Sequence, residues 1–148
     1  AGALSDDLGM GHVMVVDSAV RDEGTSFHYL PPGRVVDADP DGVAVLQSVL
    51  TDAGVDFVTG RSWTTDALYR ETRARVSRRV EEGCRTVDME ASAFCAVARF
   101  RGVRFAQLLY AGDSLAADWD HRGWTKATTV REQLFWLAAD ACLQLSPV

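Results

Sequence analysis

"RTVDMEASAFCAVARFRGV", residues 85 to 103, is the stretch on which the reading of this chain turns. Asp88 and Glu90 flank Met89 at the entrance to a segment that is almost wholly apolar up to Arg99, and Gly102 follows soon after. The pattern predicts a helix with Asp88 directly before it and Gly102 as its stop. Unpaired N–H groups and the dipole at a helix start favour negative charge, so Asp88 reads as a capping residue. Glu90 is harder to explain in that way. "MEASAFCAVA" has hardly a polar face on which a first-turn acid could reach water, so Glu90 is expected to be a fixed, dry carboxylate. Such a group accepts hydrogen bonds from a pair of hydroxyls, with Met89 as an apolar floor, and the combination suits a sugar.

Working outward, "VRFAQLLYAG", residues 103 to 112, reads as a buried strand. It runs into Gly-Asp-Ser, which sets Asp113 at the strand's C-terminal edge, where open α/β sheets hold their ligands. An Asp there serves equally well as a turn or capping residue. Upstream, "VDFVTGRSWTTD", residues 55 to 66, reads as a second strand, after which Thr64, Thr65 and Asp66 suit a local turn and Leu68 and Tyr69 suit a core. Arg70, Arg73, Arg75, Arg78 and Arg79, interleaved with Glu71, Glu81 and Glu82, read as the solvated face of a helix over 70–82. Near the start, "HVMVVDSAV", residues 12 to 20, has the Val-rich pattern of a strand buried on both faces. Residues 21–40 form a long connection punctuated by Gly24, Pro31, Pro32, Gly33 and Pro40. Asp41 is expected to cap a helix that stops at Gly54. The last element, "TTVREQLFWLAADACLQL", residues 128 to 145, is an amphipathic helix with Val130, Leu134, Leu137, Ala138 and Ala141 on one face. Strands alternate with helices, so the class is α/β.

The 148 residues suit one domain, 1–148, and 47% hydrophobic with 24% charged residues fits a folded globular chain instead of a disordered one. A net charge of -6 disfavours nucleic acid and anionic membrane as partners. No apolar run reaches the ~20 residues of a bilayer span, and no basic-then-apolar leader opens the chain, so a cytoplasmic location is expected. Cys84, Cys95 and Cys142 lack C-x-x-C spacing and read as packing thiols. His12, His28 and His121 are far apart, so no metal site is expected; Gly-rich phosphate loops and G-x-S-x-G elbows are missing as well. The chain opens "AGALSDDLGMG" without an initiator Met, which raises the expectation that it is a fragment.

Four stretches in order then suggest a family. "VDMEASAFCAVARFRGV" resembles the V-E-M-E-A/S-A segment of nucleoside phosphorylases of the uridine phosphorylase and bacterial purine nucleoside phosphorylase type. "SAVRDEGTSFHYLPP" looks like the uridine phosphorylase loop, "TTDALY" resembles the S-x-D-x-F-Y turn, and "AGDSL" sits where purine-cleaving members carry Ser-Asp. The resemblance implies a mixed central sheet flanked by helices, with the N-terminal part of the family fold absent. It implies that Glu90 accepts hydrogen bonds from ribose hydroxyls, that Met89 packs on the sugar, and that Asp88, an Asp where the family has Glu, stands near sugar and base. It places Thr65, Leu68 and Tyr69 at the substrate, with Leu68 in place of the family's Phe, and makes Asp113 the catalytic acid that assists departure of a purine. "LYRETRAR" offers Arg73 and Arg75 but no Gln, so the uracil grip of uridine phosphorylases is not reproduced.

The implied reaction is phosphorolysis of a purine or uridine-type nucleoside, with inorganic phosphate as co-substrate and no metal or organic cofactor. The alternatives are a hydrolytic nucleosidase of the same fold, an inactive nucleoside-binding or assembly fragment without the phosphate site, and an unrelated α/β domain. Partners are expected to be nucleoside, phosphate, and either further copies of the chain or a missing N-terminal half.

Overall fold

The computed structural model describes residues 1–116, 119–121 and 128–145. Its centre is β2 (Val13–Asp22), which ends two residues beyond the Val-rich run and is buried along nearly its whole length. Asp17 is the exposed exception, and the register against the neighbouring strand shifts between Val16 and Ser18, so the acid is turned out at a β-bulge. β4 (Phe57–Thr65) runs parallel to β2, and β5 (Cys84–Asp88) runs parallel to β4. All three therefore deliver their C-terminal ends, Asp22, Thr65 and Asp88, to one edge of the sheet.

Antiparallel strands complete a mixed, seven-stranded sheet. β3 (Val35–Asp37) and β6 (Leu108–Tyr110) share the same edge of β2: β3 pairs with Ser18–Val20 and β6 with Val13–Val15. On the far side, β1 (Gly2–Ala3) runs antiparallel to β5, and β7 (Asp113–Ser114) runs parallel to β1. The α/β class and the mixed sheet expected from the resemblance are what the chain forms.

Around the sheet lie α1 (Pro40–Asp52), α2 (Arg73–Glu81), α3 (Ala91–Arg101) and α4 (Thr128–Gln144). α1 is capped by Asp39 and not by Asp41: the Asp39 carboxylate accepts from Asp41 N–H at 3.0 Å, and Pro40 takes the first turn, where its missing donor costs nothing. Gly42 lets α1 sit close to the chain entering β6, since a Cβ there would come within 3.0 Å of Ala106 Cβ. α1 and α4 cover Val13 and Val15 with Leu46, Val49, Leu50 and Ala141. Burial of side chains such as Leu50 and Trp63, both fully enclosed, contributes about 2 kcal/mol each.

Several sequence expectations change. The segment read as one helix begins with a strand, β5, and Glu90 is the N-cap residue of α3 instead of a first-turn residue. The strand read over 103–112 contracts to Leu108–Tyr110 and is half-buried, because it pairs only with the first part of β2. Ala138 is exposed on α4, whereas Ala141 is buried and Leu134 and Leu137 are half-buried. Cys142 is exposed, while Cys84 and Cys95 are buried and burial pushes both thiols up to about 11. α2 is not simply a solvated face. Arg79 is buried, lies 5.2 Å over the Trp63 ring and pairs with Asp22 at 2.8 Å and Glu82 at 3.0 Å.

The connection after β2 is ordered by two buried charges. Arg21 donates from Nε to Ser26 Oγ at 2.8 Å and from Nη1 to Pro31 O at 2.8 Å, and its guanidinium lies 4.3 Å over Phe27. Glu23 accepts from Ser26 N–H at 2.9 Å and from Ser92 Oγ at 2.7 Å, tying a 3-10 turn at Thr25–His28 to the start of α3. Burial pushes the Glu23 carboxyl up, but the Ser26 and Ser92 hydrogen bonds outweigh it and hold the group below the usual glutamate value.

Candidate active site

The C-terminal edge of the parallel strands is where the candidate residues gather. Gly2 of β1 lies opposite Val87 of β5 on one side and opposite Asp113 of β7 on the other. Two strand spacings thus separate β5 from β7, about 10 Å. A Cβ at Gly2 would meet Leu115 Cδ1 at 2.5 Å and Val87 Cγ1 at 2.9 Å, so only glycine lets the strands close here. Above this floor opens a cavity of about 890 Å³. Its walls come from the turn after β4 (Leu68, Tyr69, Glu71), the β5–α3 junction (Asp88, Met89, Glu90), and the β7 segment with its continuation (Asp113, Leu115, Trp119, His121).

Asp88 is the best anchored of the acids. Its Oδ1 accepts from Glu90 N–H at 2.9 Å, Ala91 N–H at 2.8 Å and Thr64 Oγ1 at 3.1 Å, while Ser62 Oγ donates to Oδ2. The capping role expected for Asp88 is therefore what the structure shows, and the dry carboxylate at this junction is Asp88 and not Glu90. Glu90 is exposed, because the helix starts one residue after it and leaves its side chain at the cavity mouth. It nevertheless lines the same cavity as Asp113. Met89 is 45% exposed beside it.

Asp113 accepts a hydrogen bond from Trp119 Nε1 at 2.9 Å. It begins a separate short strand, since the chain breaks at Ala111 and Gly112 after β6 instead of running on from it. Leu68 and Tyr69 are on the cavity wall and largely exposed, not in the core. Thr65 is elsewhere: it is fully buried, off the cavity wall, and its hydroxyl accepts from Ala67 N–H at 3.2 Å to form the turn. Asp66 reinforces that turn by accepting from Gly24 N–H at 3.1 Å.

Three lining residues, Trp119, His121 and Glu71, are not among the site residues expected from the sequence. Trp119 and His121 lie beyond the "AGDSL" stretch, and an indole at that distance gives no local signal. Glu71 was hidden in an Arg- and Glu-rich run whose pattern marks a solvated face. Burial pushes its carboxyl up to about 7, with the nearby Asp113 charge adding to the effect. Among the described residues no three His, Cys, Asp or Glu side chains converge as a metal site. No helix among them is long and apolar enough to cross a membrane.

An open cleft lined by apolar side chains and by the carboxylates of Glu71, Asp88, Glu90 and Asp113 can pack an apolar surface and accept hydrogen bonds from ligand donors. The sequence pattern of the phosphorylase superfamily matches residues 1–141. The chain belongs to that superfamily. This phosphorylase-superfamily chain is 29% identical over 125 residues to a guanosine phosphorylase of Halorubrum lacusprofundi, an alignment covering 80% of the chain and 52% of the relative. Among solved structures, it is similar to the purine nucleoside phosphorylase of Toxoplasma gondii in complex with immucillin-H, at 26% identity and a TM-score of 0.81, covering 95% of this chain and 59% of that one. It also shares its fold with AMP nucleosidase from Bacteroides thetaiotaomicron, at 22% identity and a TM-score of 0.74, covering 95% and 55%. The chain thus spans about half the length of the relatives it matches. Its fold is of the nucleoside phosphorylase and nucleosidase type.

Proposed function

We propose that the cavity holds a purine nucleoside and that the protein cleaves its N-glycosidic bond with inorganic phosphate as co-substrate. One observation carries the reading: Glu90 with Met89 and Asp113 with Trp119 line the same cavity from walls two strands apart. In this reading Glu90 accepts from the ribose hydroxyls and Met89 packs under the ring. Leu68 and Tyr69 lie along the base, and Asp113 assists its departure. Asp88 acts by fixing the backbone that presents Met89 and Glu90, which is positional preorganisation. As the C1′–N bond breaks, positive charge builds on the ribosyl group, and in this reading negative charge on Asp88 and Glu90, both on the cavity lining, favours it. The names of the guanosine and purine nucleoside phosphorylases that the chain resembles support the purine assignment.

Hydrolysis is the second reading, and a specific feature favours it. The described lining has four carboxylates, Glu71, Asp88, Glu90 and Asp113, and no Lys or Arg, a setting that suits water better than a phosphate dianion. Under phosphorolysis, the cations that hold phosphate come from residues other than those described on these walls, including those of a further segment or a neighbouring copy. Base release from guanosine and inosine, measured with and without phosphate, decides between the two. Release that requires phosphate is expected. Release indifferent to phosphate replaces phosphorolysis with hydrolysis, and no release from either nucleoside removes both.

A further inference from the structure

Glu71 stands outside every role assigned so far. It follows the 3-10 turn Leu68–Arg70 that carries Leu68 and Tyr69 and lies just before α2, so the turn that would lie along the base also sets Glu71 on the cavity wall. Among the described residues it has neither a hydrogen-bond donor nor a cation paired with it. That distinguishes it from Asp88, which accepts from four groups, and from Asp113, which accepts from Trp119. A half-buried carboxyl without a partner is costly as an anion. The Asp113 charge from β7 makes this worse, and the other carboxyls on the lining, Asp88 and Glu90 from the β5–α3 junction, are acids as well. Among the described residues, His121 is the basic side chain on the same lining, and Arg70 is the adjacent residue, exposed to solvent.

We propose that Glu71 is the proton store of this cavity, the group that supplies Asp113 with the proton that leaves on the base. The inference rests on glycosidic cleavage as proposed above. Asp113 can assist departure of the base as an acid only while it carries a proton. Glu71, held up to about 7 by burial and by the Asp113 charge, keeps one at pH values below that. The step balances. The Glu71 proton passes to the Asp113 carboxylate and from there to a ring nitrogen of the base, while the electron pair of the C1′–N bond stays with the base. Phosphate oxygen, or water, bonds to C1′ and releases a proton to solvent, from which Glu71 is recharged.

Two measurements on the protein test this. Carbon-13 NMR of glutamate-labelled protein, with Glu71 assigned by its loss in Glu71→Gln, follows the titration of the Glu71 carboxyl in the wild type and in Asp113→Asn. A midpoint near 7 is expected, moving down in Asp113→Asn as the opposing charge is removed. A midpoint in the ordinary carboxylate range, or one indifferent to Asp113→Asn, overturns the proposal. The second measurement is the pH profile of kcat/KM for base release from inosine in the presence of phosphate. Activity should be full below about 7 and decline above it, as Glu71 loses its proton. Glu71→Gln should lower kcat/KM about 100-fold and lack this alkaline limb, and Glu71→Asp should restore the limb. Base release with an unchanged rate and profile in Glu71→Gln overturns the proposal alone. Absence of base release in the wild type overturns the cleavage reading and the proposal with it.

Discussion

Asp88 gathers four donors into one buried carboxylate: the Ser62 and Thr64 hydroxyls and the backbone N–H groups of Glu90 and Ala91. Removing it leaves all of them short of a partner, and hydrogen bonds to charged groups are among the stronger ones. Asp88→Ala should therefore destabilise the fold by about 3 kcal/mol in urea unfolding, on the scale of a lost cap plus orphaned buried donors. Asp113→Ala, at a less buried position with one hydrogen bond from an exposed indole, should stay within about 0.5 kcal/mol of wild type. If the two variants unfold alike, Asp88 does not hold the junction. Asp88 was legible as a cap because an acid immediately before a helical pattern has a local cause. Glu71 was not legible, because its unusual proton affinity comes from what folds over it: nothing in "YRETRAR" shows that Asp113, more than forty positions later, will share its cavity.

At the level of elements, α3 shows both what the sequence discloses and what it conceals. Its stop was plain: Gly102 takes φ of 62°, its N–H returns to Arg99 O, and nothing lies within 4 Å of where a Cβ would sit. Gly102→Ala should thus cost about 1 kcal/mol, seen as a lower urea midpoint with an unchanged slope, from backbone conformation alone. A larger loss, or a changed slope, would mean that packing is involved. The start of α3 was concealed. Cys84–Asp88 carries β-branched residues suited to a strand, yet it abuts the helix so closely that the acids at 88 and 90 were read as belonging to one element. β2 and β4 were legible because long Val- and Thr-rich runs need no tertiary context. The two-residue strands β1 and β7 carry no pattern of their own and exist only through their partners.

For the molecule as a whole, the exposed aromatic side chains stand out. Phe94 and Phe100 on α3 are 49% and 61% exposed, and Phe135 and Trp136 on α4 are 64% and 61% exposed. Phe100 meets Tyr29 edge to face at 5.5 Å, and Phe94 meets Phe105 at 5.7 Å, so the exposed rings of α3 stand in two aromatic pairs instead of singly. Self-association, or pairing with a further segment, is expected to cover it. Sedimentation of the protein in dilute solution should show a species larger than one chain, and Phe100→Lys should shift it toward the monomer; a compact monomer unaffected by that change would contradict the expectation.

The divided edge of β2 also bears on how the polypeptide is made. Val35–Asp37 can zip onto one half of that edge early, but the other half waits for Leu108–Tyr110, with Val13 finally meeting Tyr110. On the ribosome, then, that half of β2 stays unsatisfied until Leu108–Tyr110 has been made, and its Val-rich backbone is open to a chaperone for that interval.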